Sequence, residues 1–183
     1  IVGFKNTARL VPTDGALPLS TTLDTVCAMT RSVRDAITVH EILAARTVTR
    51  SQASLSSYRL AVATTLMLDG LTPPVAAAFE RTLKTLRDAG AHIDPMPLPP
   101  LQDLGTIQST GGFSAAESYA WHRELITQRG DRYDPRVRAR IERGAAMKAW
   151  EYLDLVQARQ AWMANVGLAL AGYDAVLSPT VPI

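Results

Sequence analysis

A strand, a helix and a second strand in the middle of the sequence constrain the fold most strongly. Residues 59–66 form a short apolar run with β-branched members, which predicts a buried strand. Thr72 can cap a following helix, two prolines suit its first turn, and Gly90 can end it. Residues 91–98 predict a second strand, which their prolines confine to a sheet edge. This order predicts a parallel pair of strands with a right-handed crossover, and so an α/β fold.

The N-terminal part shows a different pattern. Residues 1–29 carry turn residues and few helix signals, so we predict loops and short strands there. Ser32 predicts a helix start, because its hydroxyl can accept a hydrogen bond from the first turn and Asp35 lies three residues on. The polar run 47–57 predicts a surface loop.

The C-terminal part predicts three helices. Ser114 and Glu117 form a capping-box pattern at the start of the first, and Asp134 precedes a proline at the start of the second. The third begins near residue 146 and ends at Gly172, with apolar side chains on one face. That face comprises Leu153, Val156, Met163, Val166 and Leu170.

Composition and charge exclude several classes of protein. With 183 residues, of which 47% are hydrophobic, the chain can bury a core and is not disordered. The formal net charge is only +2, so charge predicts neither nucleic-acid binding nor an anionic membrane surface. One cysteine, Cys27, rules out an internal disulfide and fits a reducing compartment, so we predict a cytoplasmic protein.

We find no leader pattern and no apolar run long enough to span a bilayer.

A series of short motifs runs through both ends of the chain. They are Gly3-Phe-Lys-Asn-Thr7, Gly15-Ala-Leu-Pro-Leu-Ser20, Thr22-Leu-Asp24, Met29-Thr-Arg31 and, far downstream, Asp174-Ala-Val-Leu-Ser-Pro-Thr-Val-Pro182. In order and spacing the chain resembles the amidase signature family, whose motifs read roughly G-F-K-P-T, G-x-x-P-L-S, S-L-D, G-P-M-x-R and D-x-x-L-x-P-T-x-P. It departs from that pattern at Asn6, where the family has proline, and at Cys27-Ala28, where it has Gly-Pro.

The resemblance implies a mixed β-sheet covered by helices, and amide hydrolysis by a serine nucleophile that acts with a cis-peptide serine and a lysine upstream of this stretch. We therefore expect residues 1–183 to be part of a single amidase signature domain, truncated at both ends, that supplies scaffold and substrate channel. Two alternatives stay open: a glutamine amidotransferase A-type subunit, and a catalytically inactive fragment acting as a structural or binding module. The expected partners are a small-molecule amide and either a second copy of the chain or an amidotransferase partner subunit. No nucleic acid, membrane, metal or cofactor is expected.

Several residues could carry chemistry within the chain. Lys5 falls on the lysine of G-F-K-P-T and not on the family's catalytic lysine, so we predict no catalytic role for it. Cys27 could be a nucleophile with His40 as its base, but free cysteines are usually small buried hydrophobes, which is the role we predict. Ser178 lacks the small-residue elbow that exposes a nucleophile. The three histidines lack metal-ligand spacing. Asp24 is predicted to accept backbone amide hydrogens and fix a turn.

Arginines form the densest charge cluster in the chain. They are Arg129, Arg132, Arg136, Arg138, Arg140 and Arg143. Interspersed acids and the lack of alternating aromatic residues predict a solvated helix face and not a nucleic-acid site. The stretch from Val137 to Gly144 is similar to the V-x-x-R-I-x-x-G stretch of glutamine amidotransferase A-type subunits, whose arginine helps hold the substrate's carboxylate. That resemblance implies substrate binding by Arg140, since a guanidinium can grip a carboxylate through two hydrogen bonds.

Overall fold

The computed structural model describes residues 1–183, which divide into two compact units. The first unit comprises Ile1–Arg50 and Gln108–Leu155, and the second comprises Ser51–Ile107 and Val156–Ile183. In chain order the elements are β1 (Val2–Gly3), β2 (Met29–Thr30), α1 (Val33–Ala44), β3 (Arg59–Ala63), α2 (Pro73–Asp88), β4 (His92–Met96), α3 (Leu104–Ile107), α4 (Gly112–Arg129), α5 (Pro135–Glu142), α6 (Ala149–Ala169) and β5 (Ala175–Leu177). Short 3₁₀ turns lie at Leu55–Ser57, Pro99–Asp103, Gly130–Arg132 and Arg143–Ala146.

The first unit contains a small antiparallel pair of strands, β1 and β2, and the helices α1, α4 and α5. The predicted helix start at Ser32 is confirmed, because its side chain accepts a hydrogen bond from the Asp35 amide at 3.1 Å. The predicted start at Asp134 is confirmed in the same way, by bonds from the amides of Arg136 and Val137. The unit is thus mainly helical.

The second unit is built on a three-stranded parallel sheet with strand order β4-β3-β5. Residues 60–63 of β3 are all buried, as expected for a strand covered on both faces. The strand–helix–strand prediction is confirmed by β3, α2 and the parallel strand β4, which lies at the sheet edge as its prolines require. Thr72 occupies the N-cap of α2, but its side chain makes no capping bond, so that part of the prediction is wrong.

Helix α6 buries only part of the predicted face, because Val156 and Val166 are half-buried and Leu170, just after the helix, packs on the core of the second unit. Leu153 and Met163 are 60% and 48% exposed, whereas Leu155 is only 5% exposed. In the second unit, the indole nitrogen of Trp162 donates to the carbonyl of Pro100 at 2.6 Å, and this bond helps to set the face of the helix that packs on the core. The predicted face is therefore confirmed in part, at Val156, Val166 and Leu170, and is wrong at Leu153 and Met163. None of the helices combines the length and the hydrophobicity that a membrane-spanning segment needs.

Candidate substrate pocket

Arg140 lines a cavity of about 590 Å³ in the first unit, which we call the arginine pocket. One wall is the loop segment 17–19, a second is the face of α4, and a third is α5 with the 3₁₀ turn that follows it. The lining residues are Leu17, Pro18, Leu19, Gly111, Ser114, Ala115, Ser118, His122, Tyr133, Val137, Arg140, Ile141 and Arg143. The walls are largely apolar with a few polar groups, as is usual for small-molecule sites.

A glycine allows the α5 wall to approach α4 closely. A Cβ at Gly144 would overlap the backbone carbonyl of Ala115 and lie 2.7 Å from the Cβ of Tyr119. The 3₁₀ turn therefore packs on α4 backbone to backbone, and Ile141, 5% exposed, anchors the preceding helical turn. This packing places the Arg140 and Arg143 side chains at the pocket.

Arg129 and Arg132 of the arginine cluster make no salt bridge and do not line the pocket, and the other four divide into two groups. Arg136 pairs with Asp134 at 2.8 Å and Arg138 pairs with Glu142 at 2.7 Å. Arg140 and Arg143 belong to none of the four salt bridges of the structure, and both line the arginine pocket. Arg136, Arg140 and Arg143 are all exposed, as the prediction of a solvated helix face requires, and Arg140 and Arg143 line the pocket from that face.

The pocket also contains an uncharged polar pair. His122 Nδ1 and the Tyr133 hydroxyl lie 2.7 Å apart, and the His122 ring meets those of Tyr133 and Trp121 edge-on. Burial lowers the pKa of His122 below its usual value, so the imidazole is neutral at pH 7. This pair can exchange hydrogen bonds with a ligand but adds no positive charge.

Asp24 fixes the loop that forms the first wall. Its Oδ2 accepts hydrogen bonds from the amides of Leu19 at 2.9 Å and Ser20 at 3.0 Å. The amides of Leu23 and Asp24 in turn donate to the Ser20 carbonyl, which closes a tight turn. The prediction that Asp24 has a structural role in a turn is confirmed.

Glu117 holds the same loop from the α4 side. Its carboxylate accepts hydrogen bonds from the Ser20 hydroxyl at 2.6 Å, the Thr22 amide at 2.9 Å and the Tyr152 hydroxyl at 2.6 Å, and also from the Thr22 hydroxyl. Burial alone would raise the pKa of Glu117, but the hydrogen bonds from Ser20, Thr22 and Tyr152 outweigh it and lower the pKa. Glu117 is therefore an ionised clamp on the loop at neutral pH.

The predicted capping box at Ser114 and Glu117 is wrong. Helix α4 begins at Gly112 with Gly111 as its N-cap, so Ser114 lies inside the first turn and Glu117 in the second. A Glu at this position is free to bond to the loop instead. Sequence reasoning missed the clamp, although the hydroxyls of Ser20 and Thr22 in the P-L-S-x-T motif indicated that the loop needs an acceptor.

A family model described as Amidase matches residues 1–183. The chain belongs to the amidase family. It is 31% identical over 188 residues to the 2-amino-5-chloromuconic acid deaminase of Comamonas testosteroni, a match that covers 99% of this chain and 40% of that protein. It is 26% identical to the A-type subunit of the glutamyl-tRNA(Gln) amidotransferase of Symbiobacterium thermophilum, over 100% of this chain and 45% of that one.

A crystal structure of an amidase superposes on this amidase chain with a TM-score of 0.87 at 28% identity, over 98% of this chain and 40% of that chain. The expected α/β amidase fold is confirmed by this match. The chain spans less than half the length of these relatives.

The other candidate residues are not among those that line the arginine pocket. The Lys5 ammonium donates to the carbonyl of Asn6 at 3.0 Å. His40 is buried with its ring 5.0 Å from that of Phe4, and Ser178 is exposed after β5. Cys27 is exposed, so the predicted role as a buried hydrophobe is wrong. No group of three or more His, Cys, Asp or Glu side chains is placed to hold a metal ion.

Two departures from the family pattern lie beside each other. Asn6 is 3% exposed, and its side-chain amide donates to the carbonyl of Val26 at 2.7 Å. Val26 directly precedes Cys27-Ala28, where the family has Gly-Pro. The buried amide of Asn6 therefore fixes the backbone at the second departure.

Proposed function

We propose that this amidase chain supplies scaffold and substrate pocket to an amide hydrolase that converts a carboxamide to a carboxylate and ammonia or an amine. The observation that carries the proposal is the arginine pocket, with Arg140 at its wall and in no salt bridge, in a chain whose whole length matches the family. Residues 1–183 are proposed to belong to a single amidase signature domain.

The proposed nucleophile is a serine outside these residues. It would attack the carboxamide carbonyl, form an acyl-enzyme and release ammonia or an amine before water hydrolyses the ester. Within the chain, the Ser20 hydroxyl is bonded to Glu117 and the Lys5 ammonium to a backbone carbonyl. These bonds support our assignment of no catalytic residue to the segment.

Arg140 is proposed to bind a carboxylate of the substrate. It makes no salt bridge within the protein and reaches a mostly apolar cavity, where a carboxylate would gain a charge-assisted bidentate partner. One relative is a deaminase named for 2-amino-5-chloromuconic acid, which supports an acidic substrate here.

The test is ammonia release by the protein as its gene encodes it, from matched amides with and without a carboxylate. We expect Arg140→Gln to raise KM for the carboxylate-bearing amide about tenfold or more, because hydrogen bonds to charged groups contribute roughly 1.5–3 kcal/mol. KM for the uncharged amide should not change. Arg136→Gln is the matched control, since it removes the same charge from a residue paired with Asp134. An equal effect of Arg140→Gln on both amides would contradict the proposed carboxylate contact.

The second candidate function is that of an amidotransferase A-type subunit. It is supported by the 26% identity to the Symbiobacterium thermophilum protein over the full length of this chain. Such a protein would release ammonia from glutamine and would co-purify with a partner subunit. A homodimer in light scattering, with no partner and hydrolysis of other amides, would favour the hydrolase.

The third candidate is an inactive structural or binding module. An intact mass of 19.8 kDa would favour it, because no serine nucleophile would then lie outside the segment. A larger mass with ammonia release would favour the hydrolase. We propose a cytoplasmic location on the basis of the single unpaired cysteine.

A further inference from the structure

We propose that Arg143 forms a second anion-binding point in the arginine pocket, so that the site selects amides carrying two carboxylates. The inference rests on the proposed function, because it concerns the substrate of the same pocket. It adds a residue that the sequence analysis assigned to a solvated helix face.

The first support is the pairing of the neighbouring arginines. Arg136 and Arg138 each have a carboxylate partner, and neither lines the pocket. Arg140 and Arg143 have no carboxylate within salt-bridge distance, and both line it. Arg129 and Arg132 of the same cluster also make no salt bridge but do not line the cavity, so Arg140 and Arg143 are the two clustered arginines that both lack a salt bridge and line it.

The second support is the position of Arg143 on the helix. Its backbone keeps helical angles, with φ −57° and ψ −30°, so Arg140 and Arg143 are related as i and i+3 and lie on one face. Two like charges in this relation repel each other. A ligand with two carboxylates would neutralise both, whereas a ligand with one would leave a net positive charge.

The third support is the position of the Arg143 side chain, which lies beside Gly111 at the start of α4. Gly111 has φ +105°, and the position of a Cβ on it lies 3.7 Å from Nε and 3.8 Å from Cζ of Arg143. These are ordinary van der Waals distances, and the atom that a Cβ at position 111 would overlap is the Cβ of Ala115, at 2.7 Å. The side chain thus lies across the start of α4, along the pocket wall.

The remaining polar groups of the pocket do not substitute for Arg143. The pair formed by His122 and Tyr133 is neutral at pH 7, since burial lowers the pKa of His122. The loop wall is formed by Leu17, Pro18 and Leu19. The structure therefore gives the pocket an apolar body with two guanidinium groups, which suits a short unsaturated or apolar chain with two carboxylates.

The test is direct binding by isothermal titration calorimetry of two six-carbon dienes of equal length, muconate with two carboxylates and sorbate with one. We expect the protein to bind muconate about tenfold or more tightly than sorbate, since each charge-assisted contact contributes on that order. Arg143→Gln should remove the preference, because it should weaken the binding of muconate and leave the binding of sorbate unchanged. Arg136→Gln, a loss of the same charge in the first turn of α5, should preserve the preference.

Two results would overturn the proposal. If Arg143→Gln weakens the binding of muconate and of sorbate equally, Arg140 and Arg143 share a single carboxylate and no second anion site exists. If it changes neither, Arg143 is only a surface residue. Thermal unfolding and far-UV circular dichroism of each variant check that the exposed substitution leaves the fold intact. Because binding is measured without turnover, failure of amide hydrolysis and failure of the two-carboxylate site give different results.

Discussion

Removing the Glu117 clamp should loosen the loop that walls the arginine pocket. In Glu117→Ala the Ser20 hydroxyl, which is 1% exposed, loses its acceptor. Thr22 and Tyr152 are more exposed and can bond to water. One buried unsatisfied group and the lost charge-assisted bonds together cost roughly 2–4 kcal/mol. For a chain of this length we expect the melting temperature to fall by about 5–15 °C.

Glu117→Gln should cost less, about 1 kcal/mol. Its amide oxygen can still accept from the Ser20 hydroxyl and the Thr22 amide, while its NH₂ group can donate to the hydroxyls of Thr22 and Tyr152. Only the charge assistance is lost. The free energy of unfolding should therefore decrease in the order wild type, Glu117→Gln, Glu117→Ala. Glutamine can keep the hydrogen bonds to the surrounding donors, whereas alanine loses all of them.

The pH dependence gives an independent check. The pKa of Glu117 is lowered in the folded protein, so the ionised carboxylate contributes stability above its ordinary pKa near 4.5 and loses that contribution as the pH falls through the lower, folded value. The stability difference between wild type and Glu117→Gln should therefore shrink below about pH 4.5.

Urea unfolding followed by circular dichroism measures all three proteins between about pH 3 and pH 7. Glu124→Gln is the control, because Glu124 is an exposed glutamate on the same helix. The reasoning is refuted if Glu117→Ala unfolds at the wild-type urea concentration, or if the difference between wild type and Glu117→Gln is independent of pH.

Three further substitutions or modifications test other contacts. Gly144→Ala should destabilise the protein by about 2–4 kcal/mol, since its Cβ overlaps the Ala115 carbonyl; an unchanged urea midpoint would contradict this packing. Asn6→Ala should cost about 1–2 kcal/mol through the lost bond to the Val26 carbonyl, and a neutral effect would count against it. Native protein should react with one equivalent of a maleimide at the exposed Cys27, and Cys27→Ser should retain amide hydrolysis; slow labelling or lost activity would argue against our assignment.

The features that sequence predicted correctly depend on neighbours along the chain. The Ser32 cap and the Asp24 turn use partners three to five residues away, and β3 is visible as a run of consecutive buried residues. The prediction that Glu117 completes a capping box was wrong, because a glutamate can serve equally well as a local cap or as an acceptor for distant residues. Its partners Ser20 and Thr22 lie 97 and 95 positions away, and only the folded chain brings them together.

The stretch that suggested Arg140 has a physical explanation in the structure. Ile141 is buried and fixes the rotation of α5, and Gly144 lets the following turn contact the α4 backbone. An arginine directly before that isoleucine is then held at the cavity, four residues from the glycine that sets the approach. The pattern V-x-x-R-I-x-x-G therefore specifies the position of a guanidinium as well as a helix. A second arginine directly before the glycine, Arg143, lines the same cavity without any match to the motif, because the same helical turn and the same close approach hold its backbone there.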